Sequence, residues 1–444
     1  MTAAAGSAPG DQAPTSVGRT LLTLFRSNAR QYGMLLALLI VVVIFQFTTG
    51  GKLLGSLNVT NVFLQNGYIV LMALGMLLVI VVGHIDLSVG SVAAVVGIVV
   101  ALAIRDWGIP WWLGVLLGLA VGAVIGAWQG FWVAYIGIPG FITTLAGMML
   151  FRGANQYIGK SNSIPVPDEI RYLGAGHLPE WGPSTGLNNS TLLLGILAIA
   201  ALIWGETRRR ASERRLGGEA TPMWAAVTRT VLLAAVVAYL TYLFGSGRVG
   251  TSFPVAGLIL VVLVLVYGFV SNRTITGRHV YAVGGNRAAA ALSGVNIRRT
   301  NFFVMLNMSV LAALAGIVFI GRSTASGPFD GTNWELDAIA AVFIGGAAVS
   351  GGVGTVVGSM IGGLVMAVLN NGLQLMGVGS DRTQMIKGLV LLAAVAFDVY
   401  NKIQGKPSII GLLLQNRRRD AVVEAAPETA VAQSEAAGEP ITKS

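Results

Sequence analysis

The sequence predicts an all-α integral membrane protein, a polytopic bundle of about twelve helical spans. Three observations predict it. The chain is 54% hydrophobic and 11% charged, against about 25% charged residues in soluble domains. Long apolar runs alternate with polar breaks along most of its 444 residues. Basic residues collect in particular breaks, as the positive-inside rule expects of cytoplasmic loops.

The first 32 residues contain no apolar run, so no cleavable signal peptide is expected. Arg19, Arg26 and Arg30 outweigh Asp11 there, which places this segment in the cytoplasm. The transmembrane domain is expected over 33–402. Its apolar runs are 33–49, 59–82, 87–104, 111–135, 141–158, 189–205, 228–246, 252–270, 301–320, 338–349, 355–376 and 384–402. A span needs roughly 20 residues to cross a core of about 30 Å. The run at 338–349 is too short, which predicts a broken or re-entrant helix buried in protein. Glycine recurs every four residues at Gly114, Gly118, Gly122, Gly126 and Gly130, and again at Gly354, Gly358 and Gly362. Small residues at this spacing share a helix face and let backbones approach. The face serves either static packing or a moving interface. Residues 403–444 form a cytoplasmic tail. Beyond Arg419 it is rich in Ala and Glu without periodicity, and disorder is expected.

Charge tests the span count. Alternation puts 159–188 outside, where Lys160 and Arg171 face Asp168, Glu169 and Glu180. It puts 206–227 inside, with Arg208, Arg209, Arg210, Arg214 and Arg215, and also puts 271–300 inside. The C-terminus, with Lys402, Lys406, Arg417, Arg418 and Arg419, falls inside too. Dropping one span would move that basic tail outside. The net charge of +10 therefore follows from topology and anionic lipid surfaces rather than nucleic acid.

Several chemistries are excluded. The chain has no cysteine and only three widely spaced His, so no thiolate or metal site is expected. Gly153–Ser161 (GANQYIGKS) resembles a phosphate-binding loop, but five residues separate Gly153 from Gly159 where four are needed. GGVGTVVG at 351–358 misses the dinucleotide fingerprint by one residue. No nucleotide site, cofactor site or catalytic constellation belongs to this chain, and it is not expected to be an enzyme.

Residues 271–300 carry five Arg and no acid between two apolar runs. Asn286–Ser293 within them is Ala-rich, preceded by Gly284 and Gly285 and ended by Gly294. A short helix offered on the inner face is a docking element for a cytosolic partner. The glycine pair permits a sharp turn into it. Ala288–Ala291 allow close contact, and Arg278 and Arg287 can pair with acidic groups. The other reading is a solvated basic loop that only sets topology.

Three segments in order carry a resemblance. They are GHIDLSVGSV (83–92), GRHVYAVGGNRAAAALSGVNI (277–297) and ELDAIAAVFIGGAAVSGGVGTVVGSMIGGLVMAVLNNGL (335–373). Together they resemble the permease subunits of bacterial ABC importers for monosaccharides, the ribose, xylose and galactose group. That group is part of a larger family with the branched-chain amino acid permeases. The resemblance runs from about residue 59 to 402 and is nearest the xylose or multiple-sugar branch. It implies a core of about ten spans, like the larger importer membrane domains such as that for vitamin B12. The pair within 189–246 then looks inserted. The resemblance also implies an inner-membrane location and three partners: an ABC ATPase that holds ATP and magnesium, an extracytoplasmic sugar-binding protein, and a second permease copy in a homodimer. The coupling element would comprise Gly277, Arg278, Tyr281, Gly284, Gly285, Asn286, Arg287, Ala289 and Gly294.

Other polar residues are candidates by chemistry. Gln65, Asn66, Asn307, Asn370, Asn371 and Gln374 lie in or at the ends of apolar spans. Amides offer the neutral donors and acceptors that sugars need, and they also bond helices together. Asp86 and Ser88, after His84, either cap the next helix or join these amides on a translocation path. Trp334, Glu335 and Asp337 are expected at an outer helix end, as a contact for the binding protein or as a cap. The competing function is a secondary transporter driven by protons or sodium. It needs an acid deep in the membrane, whereas the acids here fall toward span ends in the sequence.

Overall fold

The computed structural model describes residues 29–183, 185–215, 222–247 and 252–403. Most of the N-terminal segment and the expected disordered tail lie outside those residues. Among the described residues the regular structure is helical, apart from one ribbon of two short strands. The helices are α1 (Ala29–Thr48), α2 (Ser56–Val82), α3 (Val89–Trp107), α4 (Trp111–Phe131), α5 (Gly140–Ile158) and α6 (Asp168–Ala175). They continue as α7 (Asn189–Arg215), α8 (Met223–Gly245), α9 (Val255–Arg273), α10 (Ile275–Gly285) and α11 (Arg287–Leu292). The series ends with α12 (Ile297–Ser323), α13 (Trp334–Ile344), α14 (Val356–Leu375) and α15 (Ser380–Ile403). Residues up to Leu392 form one compact unit, and the described part of a second, 393–403, is helical.

Each of the twelve apolar runs coincides with a helix. Among the described residues, eight helices are long and apolar enough to cross a membrane: α2, α3, α4 with its π-helical extension Trp132–Ile136, α7, α8, α9, α12 and α14. The protein is thus a multi-pass membrane protein. α1 has a shorter apolar stretch, Gly33–Thr48. α5 is interrupted by Thr143, Thr144, Arg152, Asn155 and Gln156. α13 has 11 residues, about 16 Å at 1.5 Å per residue, half a hydrocarbon core. The stretch 345–355 that follows is not helical and holds Gly346, Gly351 and Gly352 at positive φ.

The core forms around α2 and α12. A helix that is apolar all round belongs inside, and α2 is buried continuously from Ile69 to Val82. α12 packs against α2, α3, α4 and α6. The glycine row of α4 faces α12 along its lower part. A Cβ on Gly126 would lie 2.7 Å from Leu306 Cα, and one on Gly130 would lie 3.1 Å from the Phe302 carbonyl oxygen. Backbone cannot yield as a side chain can, so this row is close packing.

Two features were not visible in the sequence. The loop after α5 forms a strand, β1 (Ile164–Pro165), paired antiparallel with β2 (Ala325–Ser326) after α12. The short amphipathic helix α6 lies within the stretch expected as an outer loop. It presses Gly174 against Gly321 of α12, and a Cβ on Gly174 would sit 2.6 Å from the Gly321 carbonyl carbon.

Candidate functional site

The basic loop is a rigid structure. Thr274 caps α10 by accepting from the Gly277 amide at 3.2 Å. Asn286 is extended, with φ −153, and separates α10 from α11. Its side-chain oxygen accepts the Ala289 amide at 3.0 Å, an N-cap worth about 1 kcal/mol. Gly294, at φ +83, ends the segment, with Val295 N–H donating to Ala290 O at 3.0 Å. The turn into α11 is therefore made at Asn286. Gly284 and Gly285, expected to make it, form the last turn of α10 instead.

The glycines allow close approach. Gly284 lies against the end of α2. A Cβ there would meet the Val81 carbonyl, and would sit 2.7 Å from Gly352 N. Gly352 N–H donates to Val81 O at 2.8 Å, and Tyr281 Oη donates to Gly354 O at 2.9 Å. The end of α10, the end of α2 and the stretch after α13 thus pack backbone against backbone. Gly285 is different: a Cβ there meets nothing within 4 Å. α11 is exposed at Arg287, Ala288, Ala289, Ala291 and Leu292, with Ala290 buried beneath. Leu292 is 91% exposed, a large apolar side chain standing out from the small alanines around it.

The break between α2 and α3 meets the same region. Gly83, at φ +94, ends α2, with His84 N–H returning to Val79 O at 2.9 Å, a C-cap that satisfies the last carbonyls. Burial holds the His84 imidazole below its ordinary pKa, and Arg287 pushes the same way, opposed by a hydrogen bond with Asn301.

Asp86 and Ser88 bond to each other ahead of α3. Asp86 is fully buried. Its Oδ1 accepts from Ser88 N at 2.8 Å and Ser88 Oγ at 2.6 Å. Gln129 Nε2 donates to Ser88 Oγ at 2.6 Å, and Thr144 Oγ1 accepts from Leu87 N at 3.1 Å. Gln129 and Thr144 were not expected here, because nothing in sequence ties them to residue 86.

The amides divide. Asn370 Nδ2 donates to Asn66 Oδ1 at 3.2 Å between α14 and α2. Asn371 and Asn58 exchange two bonds of 2.8 and 3.1 Å. Asn66 also lines a small crevice with room for about one water, walled by Val62, Phe63 and Val70 of α2, Ala256 and Leu260 of α9, and Ala367 of α14. Asn307 bonds Tyr267 of α9 instead. Gln65 is half-buried and Gln374 is exposed. The structure thus bonds Asn66 to Asn370 and Asn371 to Asn58, whereas Asn307 bonds Tyr267 and Asp86 bonds Ser88.

Trp334, Glu335 and Asp337 correct an expectation. All three are buried, so they offer no surface to a docking protein. The chain dips inward after β2, and Gly331 packs on Gly90 of α3, carrying the start of α13 into the bundle. Trp334 packs on Tyr68 and Phe319, with ring centroids 4.2 and 4.5 Å away. Glu335 faces Arg152 at 3.7 Å, and Asp337 pairs with Lys387 at 2.8 Å. Among the described residues no group of acids, His or Cys is placed to hold a metal ion.

Comparison with known proteins adds the following. The family described as branched-chain amino acid transport system permease component matches residues 58–395. The chain is 38% identical over 378 residues to the xylose transport system permease protein XylH of Haemophilus influenzae, covering 84% of this chain and 97% of that protein. It is 37% identical over 390 residues to XylH of Escherichia coli K12, covering 88% and 96%. It is 33% identical over 364 residues to the ribose import permease protein RbsC of Escherichia coli K12, covering 82% and 92%. No solved structure shows a significant match.

Proposed function

Because the chain belongs to the permease-component family of branched-chain amino acid transport systems, together with the xylose and ribose permeases, we propose xylose as its principal cargo. It is the membrane permease subunit of an ABC-type monosaccharide importer, not the ATPase. The relation to XylH over nearly the whole chain carries the choice of xylose; identity to the ribose permease is lower.

The complex operates in the inner membrane. Two copies of this chain form a homodimer. An ABC ATPase holding ATP and magnesium docks from the cytoplasm, and a sugar-binding protein delivers cargo from outside. The chain crosses twelve times, counting α1, α5, α13 and α15 with the eight long helices, and both termini face the cytoplasm. α13 is the crossing made by a half-helix.

Energy enters at Gly277–Gly294. α11 docks in a cleft of the ATPase through Leu292 and its small alanines, with Arg278 and Arg287 on acidic rim groups. Displacement of α11 moves α10. α10 carries Val81 and Gly352 with it, since their contacts are backbone on backbone. The motion so reaches the end of α2 and the stretch leading back to α13. The amides between α2 and α14 supply neutral bonding along the path, and Asn66, paired with Asn370, is the first candidate contact for a hydroxyl.

A proton- or sodium-coupled carrier is the competing reading. Asp86, Glu335 and Asp337 lie at helix ends, as expected, and are nonetheless buried, which brings acids into the bundle. Two are bonded, however, Asp86 by Ser88 and Asp337 by Lys387, and Glu335 has the Arg152 cation 3.7 Å away. A labelled-uptake assay tests the cargo. The chain is co-produced with its ATPase and binding protein, and unlabelled sugars compete. Xylose should compete best. Competition by ribose or galactose, with xylose ineffective, would overturn the assignment.

A further inference from the structure

Glu335 and Asp337 sit in the first turn of half-helix α13, two residues apart. At 100° per residue that places them about 200° apart, on opposite faces. Acids suit the positive N-terminal end of a helix, yet both are buried. Charged side chains within a membrane bundle are costly and mark function by default. Each acid faces a cation from a different helix: Arg152 from α5 and Lys387 from α15.

The two pairs are unequal. Lys387 Nζ donates to Asp337 Oδ2 at 2.8 Å, a closed bond. Arg152 Nη2 stands 3.7 Å from Glu335 Oε1, beyond hydrogen-bond reach. Arg152 Nη2 and Glu335 Oε2 are both buried without a hydrogen-bond partner. One side of α13 is latched and the other is open.

α13 also lies at the far end of the link from the cytoplasmic loop. It leads into 345–355, where Gly352 bonds Val81 and packs on Gly285, and Gly354 accepts from Tyr281.

We propose that Arg152 and Lys387 are positioning residues for transport, which hold α13 alternately from its two sides. In the conformation described, Lys387 holds α13 toward α15. When ATP binding drives α11, α13 shifts toward α5. The Arg152–Glu335 pair closes and the Lys387–Asp337 pair opens. This deepens the permease reading and rests on it.

The test uses the assembled complex in liposomes, scored as sugar imported per ATP hydrolysed. Lys387→Gln and Asp337→Asn should each lower that ratio about tenfold while ATP is still hydrolysed. Lys387→Arg should keep most of it, and the double neutral variant Asp337→Asn/Lys387→Gln should do better than either single one. A second measurement needs no charge removed. The chain has no cysteine, so spin labels can be placed at exposed Leu336, Met149 and Met385 through cysteine substitutions. With a non-hydrolysable ATP analogue, the 336–149 distance should shorten and the 336–385 distance lengthen. A lower unfolding midpoint with an unchanged sugar-to-ATP ratio, or unchanged label distances, would overturn the proposal. Failure of the unsubstituted complex to import any sugar would instead count against the permease reading.

Discussion

Replacing Gly284 and Gly285 one at a time should separate two roles that adjacent residues play in the cytoplasmic segment. Both lie in the last turn of α10. Alanine in a helix interior is better than glycine by about 1 kcal/mol, so propensity alone favours both substitutions equally. Packing does not. A Cβ at 284 would run into the Val81 carbonyl and approach Gly352 N at 2.7 Å and Val81 C at 2.8 Å, all backbone. Overpacking of this kind costs about 1–3 kcal/mol, so Gly284→Ala should be destabilising by up to about 2 kcal/mol after the propensity gain. A Cβ at 285 meets nothing, so Gly285→Ala should be neutral or slightly stabilising. Gly285→Trp extends the contrast. Its ring would enter open space where the ATPase docks, leaving folding intact and blocking assembly. Thermal unfolding of the purified chain, with binding and stimulation of the ATPase, reads both effects. A Gly284→Ala chain as stable as the parent would refute the backbone weld. A Gly285→Trp chain that still stimulates the ATPase and imports sugar normally would remove the coupling assignment.

Three further outcomes follow from the same geometry. Leu292→Asp should leave the unfolding midpoint unchanged, since the side chain is almost wholly exposed, and should weaken ATPase binding at least tenfold, as loss of a buried apolar anchor does at an interface; pull-down with the purified ATPase checks this. Asn371→Ala should leave Asn58 Oδ1 without its donor, while Nδ2 keeps Leu53 O, and destabilise by about 1 kcal/mol, whereas the double Asn58→Ala/Asn371→Ala should be less than additive in a thermal-shift cycle. His84, held below its ordinary pKa by burial, takes up its proton more readily unfolded than folded. Stability should therefore be full above about pH 6.5 and fall as pH drops below it, and a His84→Gln chain should show a flatter fall when unfolding is followed from about pH 7 to about pH 5.5.

Hydrophobic runs located twelve of the fifteen helices among the described residues, because a membrane span is written as length and apolarity; α6, α10 and α11 lie outside the runs. The half-helix at 334–344 was legible for the same reason: its run is too short. Strands β1 and β2 were not, since two residues each carry no periodicity. The short helix of 287–292 was legible as a basic, alanine-rich stretch, but the packing of the glycines before it was not. Whether a glycine serves a turn or a close approach depends on what lies opposite, and Val81 is about two hundred residues away in sequence. The same holds for the polar sites. Asn66 and Asn370 stood out as amides in apolar spans and do meet. Lys387 and Arg152 gave no sign of pairing with Asp337 and Glu335, because a charge near a span end reads as topology until a partner is seen.

The central claim is that this chain has no energy source of its own and is driven through Gly277–Gly294 by a separate ATPase. Its most direct test is xylose uptake into proteoliposomes holding this chain, the ATPase and the binding protein, with ATP on the ATPase side and the proton and sodium gradients dissipated. Uptake should continue undiminished while ATP lasts and should stop when the ATPase is omitted. Uptake that collapses with the gradients, or that proceeds without the ATPase, would contradict it.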